Sequence, residues 1–236
     1  MIDLPILHRN ETYPLRTGKI IGIGLNYHDH LAEHDRLHGT RTPIPREPVL
    51  FAKTPNCLIP TGAPILLPQA LSDYSFSNPR TDYEAEVAVI IKERCRHISS
   101  EEALAAVLGY TAMNDVSQRN WQKGDTSGWF RGKCLDTFAP IGPAILAAED
   151  CPDPQNLSLQ CHLNRREVQS SHTSQMIFPI KEIIAFISRF MTLEPGDIIT
   201  TGTPSGVGPL TPGDRVEITI GGLGTLSNPV LREPSP

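Results

Sequence analysis

The sequence predicts a β-rich α+β fold with a few short helices. Its 22 prolines and 18 glycines are spread along all 236 residues rather than gathered into linkers. Apolar runs are short and bounded by turn residues, which is the pattern of strands. Few segments read as helices.

Residues 1–18 read as an N-terminal arm or small subdomain, and 19–236 as the main domain. KIIGIGL (19–25) gives the first strand of that domain. A short helix follows, with Asn26 as its N-cap, running through His30 and Glu33. Residues 35–48 are polar, proline-containing and aperiodic, a long loop able to serve as a lid. VLFAKT (49–54) returns to strand, 71–82 is a second long loop, and YEAEVAVII (83–91) is a strongly alternating strand. Ser99-Ser100-Glu101-Glu102 matches a capping box, so a helix is expected from Ser99 to Gly109. GYTAMND (109–115) is the next strand. After Pro179, Ile180, Ile183, Ile184, Ile187 and Met191 fall on one helical stripe that stops before Pro195-Gly196-Asp197. That stripe is core. DIITTGT (197–203) and RVEITI (215–220) close the strand set, and NPVLREPSP is expected to trail off the surface.

Charge and cysteine usage narrow the function classes. A net charge of -5 offers no basic footprint for nucleic acid or an anionic membrane. MIDLPILHRNETYPL has no basic leader ahead of an apolar run, and no later stretch is long enough to span a bilayer. The five cysteines are odd in number and form no C-x-x-C pair, so a reducing cytoplasm is expected rather than a disulfide framework or zinc knuckle.

The strongest chemical signal is the acidic strand. Alternation places Glu84, Glu86, Ala88 and Ile90 on one face, with Tyr83, Ala85, Val87 and Val89 on the other. Two carboxylates about 7 Å apart on an apolar face repel unless one is protonated or a cation lies between them. Asp115, at the end of GYTAMND, could add a third if the strands are neighbours. All-oxygen ligation favours Mg2+, Mn2+ or Ca2+ over zinc. An edge strand with both glutamates facing water explains the same spacing.

Other motifs carry two readings each. His30 and Glu33 are three apart, so a helix brings them to one face as a possible base dyad, or as a surface pair. Arg119 and Gln122 share a face if DVSQRNWQ begins a helical turn. TGTPSGVG (201–208) could form a nest of amides for an anionic oxygen, or simply a tight turn. Trp121 and Trp129 flank the loop KGDTSG, either as a mobile element or as plain packing. Gly22-x-Gly24 lacks the third glycine of a dinucleotide fingerprint.

In order along the chain, IGIGLNYHDHLAE, PVLFAKTPNCLI, DYEAEVAVII, GYTAMNDVSQRNWQ, RGKCLDTFAPIGP, GDIITTGTPSGVG and GLGTLSNPV together resemble the fumarylacetoacetate hydrolase family. The resemblance covers most of residues 20–230. It implies a mixed β-roll or barrel-like catalytic domain, a homodimer, and Mg2+ or Mn2+ held by Glu84, Glu86 and Asp115. It further implies His30 and Glu33 as the base, Lys133 as the active-site lysine pairing with a carboxylate or developing enolate, and Arg119, Gln122 and Thr203 as substrate contacts. The expected chemistry passes through a metal-stabilised enolate of a 2-oxo acid. Hydrolytic cleavage of an acylpyruvate such as fumarylpyruvate is the first expectation. Oxaloacetate-type decarboxylation and isomerisation of 2-hydroxyhepta-2,4-diene-1,7-dioate in aromatic catabolism are the alternatives. A non-catalytic carboxylate-binding dimer is the rival from another class, and its signature would be a damaged residue set; here the set is intact.

Overall fold

Period-two alternation becomes alternate burial in Arg215–Ile220, whereas Ala85–Ile91 is buried on both faces, in the computed structural model, which describes residues 2–39 and 41–234. Residues 1, 40, 235 and 236 lie outside the described residues, as do the side chains of 34, 37 and 38. They include one position of the expected 35–48 loop and the end of the expected tail.

The strands are β1 (Ile2–Pro5), β2 (Thr12–Leu15), β3 (Ile20–Gly24), β4 (Val49–Lys53), β5 (Leu58–Pro60), β6 (Ile65–Leu67), β7 (Thr81–Tyr83), β8 (Ala85–Ile91) and β9 (Val107–Asn114). They continue as β10 (Ser117–Gln118), β11 (Ala139–Ala147), β12 (Ser158–Leu163), β13 (Arg166–His172), β14 (Ile198–Thr200), β15 (Gly208–Pro209), β16 (Arg215–Ile220) and β17 (Gly224–Arg232). The helices are α1 (His28–His38), α2 (Arg119–Gln122), α3 (Phe130–Lys133) and α4 (Ile180–Phe190). None among the described residues is long and apolar enough to cross a membrane.

A seven-stranded mixed sheet, ordered β4-β3-β14-β8-β9-β11-β5, carries the site. A five-stranded sheet, β13-β12-β16-β17-β6, packs on one of its faces. Val87, Val89 and Ile91 of β8 meet Leu159, Cys161, Ile218 and Leu226 in the core between the two sheets. The other face gives Ala88, Ile90, Met113 and Ile141 to a second core, closed by Leu4 and Leu15 of the β1–β2 hairpin. The two clusters therefore divide β8 by parity, as the alternation predicts.

Several elements depart from expectation. The strand expected over 83–91 breaks at Glu84, leaving β7 in a small sheet ordered β10-β7-β15 and β8 in the large one. The capping-box contacts form, with Ser99 and Glu102 bonded reciprocally, but only a 3-10 turn over Ala103–Ala106 follows. Val107 is already paired with Ile91 in the sheet, and that pairing ends the helix. Asn26 does not cap α1; Tyr27 occupies the N-cap position, and the Asn26 side chain is buried in bonds to Phe178 and Thr201. The DIITTGT strand stops at Thr200, where Gly202 turns with φ of 93°. Asn228–Arg232 is part of β17, paired with β16 and β6, and Val230 is fully buried, so the tail leaves the fold only after Arg232. By contrast α4 buries Ile180, Ile183, Ile184 and Ile187 as the stripe requires.

Candidate metal and catalytic site

The break at Glu84 brings the acidic residues together. Glu84 accepts the Asp115 amide at 2.9 Å through its carbonyl, while its own amide donates to Asn114 Oδ1 at 2.9 Å. Glu86 sits opposite Met113 one pair further along β8. One carboxylate oxygen from each of Glu84, Glu86 and Asp115 lies within 4.8 Å of the others. Since β8 is the fourth of seven strands, these residues do not face water: they are 5%, 2% and 0% exposed.

Three cations answer this charge unevenly. Lys133 Nζ donates to Glu84 Oε2 at 2.6 Å and to Asp115 Oδ2. Arg119 donates to Glu84 Oε1 at 2.5 Å, to Asp82 Oδ2 at 2.8 Å and to Gln122 Oε1 at 2.9 Å. Lys53 Nζ stands 2.8 Å from Asp115 Oδ1, at an angle outside hydrogen-bonding geometry, and donates to the carbonyls of Lys133 at 2.6 Å and Val116 at 3.2 Å. Burial raises the Glu84 carboxyl, but the charges of Arg119 and Lys133 outweigh it and hold the group below the usual carboxylate range. Burial likewise lowers Lys133, and the charges of Asp115 and Glu84 reverse that shift upward.

Glu86 differs, because among the described residues it makes no ion pair. Its Oε2 accepts from the Thr200 hydroxyl and from the Gly202 amide at 2.8 Å. Burial, followed by the charges of Asp115 and Glu84, pushes it well above the ordinary carboxylate value. A divalent cation among the three carboxylates would remove that conflict. Asp115 Oδ1 is buried and accepts no hydrogen bond, with only the Lys53 ammonium beside it at 2.8 Å, so it could serve as a ligand atom for one. The residues present therefore fit a hard divalent ion.

The same carboxylates line a cavity of about 70 Å3 together with Arg119, Gln122, Lys133, Thr203 and His30. Its remaining wall is apolar, with Ile23, Leu25, Phe51 and Trp129. All nine residues expected for metal and substrate chemistry thus lie at the cavity except Glu33, which stands behind His30. The His30–Glu33 dyad is side by side rather than bonded: Nδ1 to Oε2 is 3.9 Å, and Nδ1 has no hydrogen-bond partner. The Gly206 amide takes Glu33 Oε2 at 2.9 Å instead. Burial holds the imidazole pKa of His30 below its ordinary value, outweighing the neighbouring carboxylates, so the ring is a free base at neutral pH.

The loop 201–208 does not present the expected open nest, since its Gly202 and Gly206 amides bind Glu86 and Glu33 of this chain. The turn reading holds at Gly206, whose φ is 94° and where a Cβ would fall 2.0 Å from the Val168 carbonyl oxygen. Thr203 faces the cavity with its hydroxyl accepting from Gln169 at 2.8 Å. Of the two tryptophans, Trp129 lines the cavity, whereas Trp121 packs beneath Tyr74 and Arg131. Leu25 and Trp129 have φ of 56° and 69°, a left-handed conformation costing a bulky residue on the order of 1 kcal/mol or more.

Sequence reasoning missed Lys53, Thr200 and Phe51. Lys53 did leave a signal, since in VLFAKT it alternates onto the same buried face as Phe51.

Residues 19–231 match the family model described as fumarylacetoacetate (FAA) hydrolase C-terminal. The mitochondrial oxaloacetate tautomerase of Bos taurus is 39% identical over 241 residues, covering 97% of this chain and 73% of its own. Among solved structures, fumarylpyruvate hydrolase from Pseudomonas aeruginosa in complex with Mn2+ and pyruvate superposes with a TM-score of 0.81 at 30% identity, covering 98% of this chain and 96% of that one. The 2-hydroxyhepta-2,4-diene-1,7-dioate isomerase from Mycobacterium marinum gives 0.80 at 36% identity, covering 96% and 82%.

Proposed function

Because this chain belongs to the fumarylacetoacetate hydrolase family, an enzyme family of hydrolases, isomerases and decarboxylases, we propose that it is a divalent-metal-dependent enzyme forming the enolate of a 2-oxo acid, with Glu84, Glu86 and Asp115 as ligands. The observation that carries this reading is the buried Glu86, lacking an ion pair among the described residues and standing beside two further carboxylates within 4.8 Å. Mg2+ or Mn2+ is the expected ion. Bound there, it supplies Lewis-acid polarisation of substrate oxygens and a sink for enolate charge.

The chain's own residues do the rest. Lys133 exchanges its contacts with Glu84 and Asp115 for the substrate carboxylate, and Arg119, held by Asp82, orients Gln122 toward the cavity. Thr203 fixes the substrate on the other side. His30, neutral and facing the cavity, is the base, and Glu33 stabilises the imidazolium that forms. With an acylpyruvate, the class that includes fumarylpyruvate, His30 Nε2 or Nδ1 takes a proton from water and the hydroxide adds to the distal carbonyl. The carbon–carbon bond then breaks with its electron pair on carbon 3 of pyruvate, which is reprotonated. The products are a carboxylic acid and pyruvate.

A second reading is proton transfer or decarboxylation on oxaloacetate, which the small cavity of about 70 Å3 favours over a substrate as long as fumarylpyruvate. Both use one enolate. Purified protein assayed with acetylpyruvate, fumarylpyruvate and oxaloacetate, with Mg2+, Mn2+ or chelator, separates them. Turnover of at least one substrate that chelator abolishes is expected; undiminished turnover after chelation would sink the mechanism.

A further inference from the structure

The cavity wall has two unlike parts. On the polar part every cationic nitrogen is already engaged, Lys133 by Glu84 and Asp115, and Arg119 by Asp82, Glu84 and Gln122. The apolar part is built with care. Phe51 and Trp129 stand with ring centroids 5.6 Å apart and planes inclined at 52°. Phe51 lies across from Gly22 in the β3–β4 pairing, where a Cβ on Gly22 would fall 2.1 Å from the ring. A Cβ on Gly24 would come within 3.1 Å of the Trp129 indole. Two glycines of one strand thus seat two aromatic rings against bare backbone.

The Lys133 ammonium lies 4.5 Å above the Phe51 ring centroid, so the aromatic wall reaches the reacting end of the cavity. Leu25 and Trp129 are the lining residues with positive φ among non-glycines, and a disfavoured backbone kept at a cavity wall points to a shape being held. The cavity, open on one side, holds about 70 Å3, half the roughly 150 Å3 of an engineered cavity that accepts benzene.

We propose that Phe51, Trp129 and Leu25 form a gauge for the group a substrate carries beyond its 2-oxo acid head, admitting a compact group such as acetyl and excluding a longer one such as fumaroyl. This rests on the 2-oxo acid reading of the site. Removing the indole opens the gauge. A methyl at Gly24, which has no positive-φ constraint, adds volume to the lining itself within 3.1 Å of the indole and so tightens it.

The test compares wild type, Trp129→Ala, Trp129→Leu and Gly24→Ala, each checked for cooperative thermal unfolding. Two ratios are read: kcat/KM for acetylpyruvate over fumarylpyruvate, and, without turnover, the calorimetric affinity for 2-oxobutanoate over phenylpyruvate. Wild type is expected to favour the compact member in both. Trp129→Ala or Trp129→Leu should lower each preference by about tenfold or more, the scale of a hydrophobic size discrimination, and Gly24→Ala should raise it. Preferences unchanged in the folded variants, or a wild type favouring the longer member, overturn the gauge while leaving the 2-oxo acid reading intact. Failure of the wild type to bind or turn over any 2-oxo acid brings down the parent reading and the gauge with it.

Discussion

Lys53 is a buried cation of the acidic site that no motif announces. Its side chain is fully buried, between Asp115 and two main-chain carbonyls, one of them that of Lys133. Removing the cation of a buried pair costs about 3–5 kcal/mol where the carboxylate is left uncompensated, and less here because Lys133 still pairs with Asp115. Lys53→Met is therefore expected to lose about 1–3 kcal/mol in urea unfolding and, with a positive charge gone from beside Asp115, to bind Mg2+ more tightly by calorimetry. Wild-type stability and metal affinity in this variant would show that Asp115 does not depend on it. The shared face of Glu84 and Glu86 was legible from strand parity, but the break at Glu84 and the burial of both were not, since parity leaves open whether that face meets water. The His30–Glu33 contact was not, because spacing gives a shared face but cannot show that an amide 173 residues away from Glu33 competes for its carboxylate.

At the scale of elements, the turn between β3 and α1 is tied to the rest of the fold through Asn26. Its amide donates to the Thr201 carbonyl at 2.7 Å and the Phe178 carbonyl at 3.2 Å, and its oxygen accepts the Phe178 amide at 2.8 Å. This holds α1, with His30, against the loop after β14. Asn26→Ala strands these groups in a buried setting, and a loss of about 2–4 kcal/mol is expected from denaturant titration; a loss below about 1 kcal/mol would mean the groups find other partners. The sequence offered Asn26 as a cap because Asn is a good one, but the long-range partners won it. The same competition shortened the helix after Ser99, where local capping formed and sheet pairing at Val107 prevailed. The helix after Pro179 was legible since its periodic stripe and its tertiary burial agree.

For the whole molecule, the β-rich class followed from turn residues and short runs, whereas the strand order did not, since β14 enters between β3 and β8 from far along the chain. That entry supplies the Thr200 hydroxyl to Glu86. Because the carboxylates are brought together only in the folded chain, an ion that binds them binds the native state alone. Mg2+ or Mn2+ at about one hundred times its dissociation constant should add about 2.7 kcal/mol and raise Tm by roughly 5–10 °C. Glu86→Ala should abolish that rise; an equal rise in the variant would place the ion elsewhere. Glu84 and Glu86 flank a strand break and Asp115 ends a central strand, while Trp129 stands at the mouth of a surface loop and Phe51 on the sheet's outermost strand. The proposed metal ligands and the proposed gauge are thus inherited from separate parts of the architecture. On the proposed reading, substitutions at the sheet's edge change which 2-oxo acid is accepted without touching the buried carboxylates.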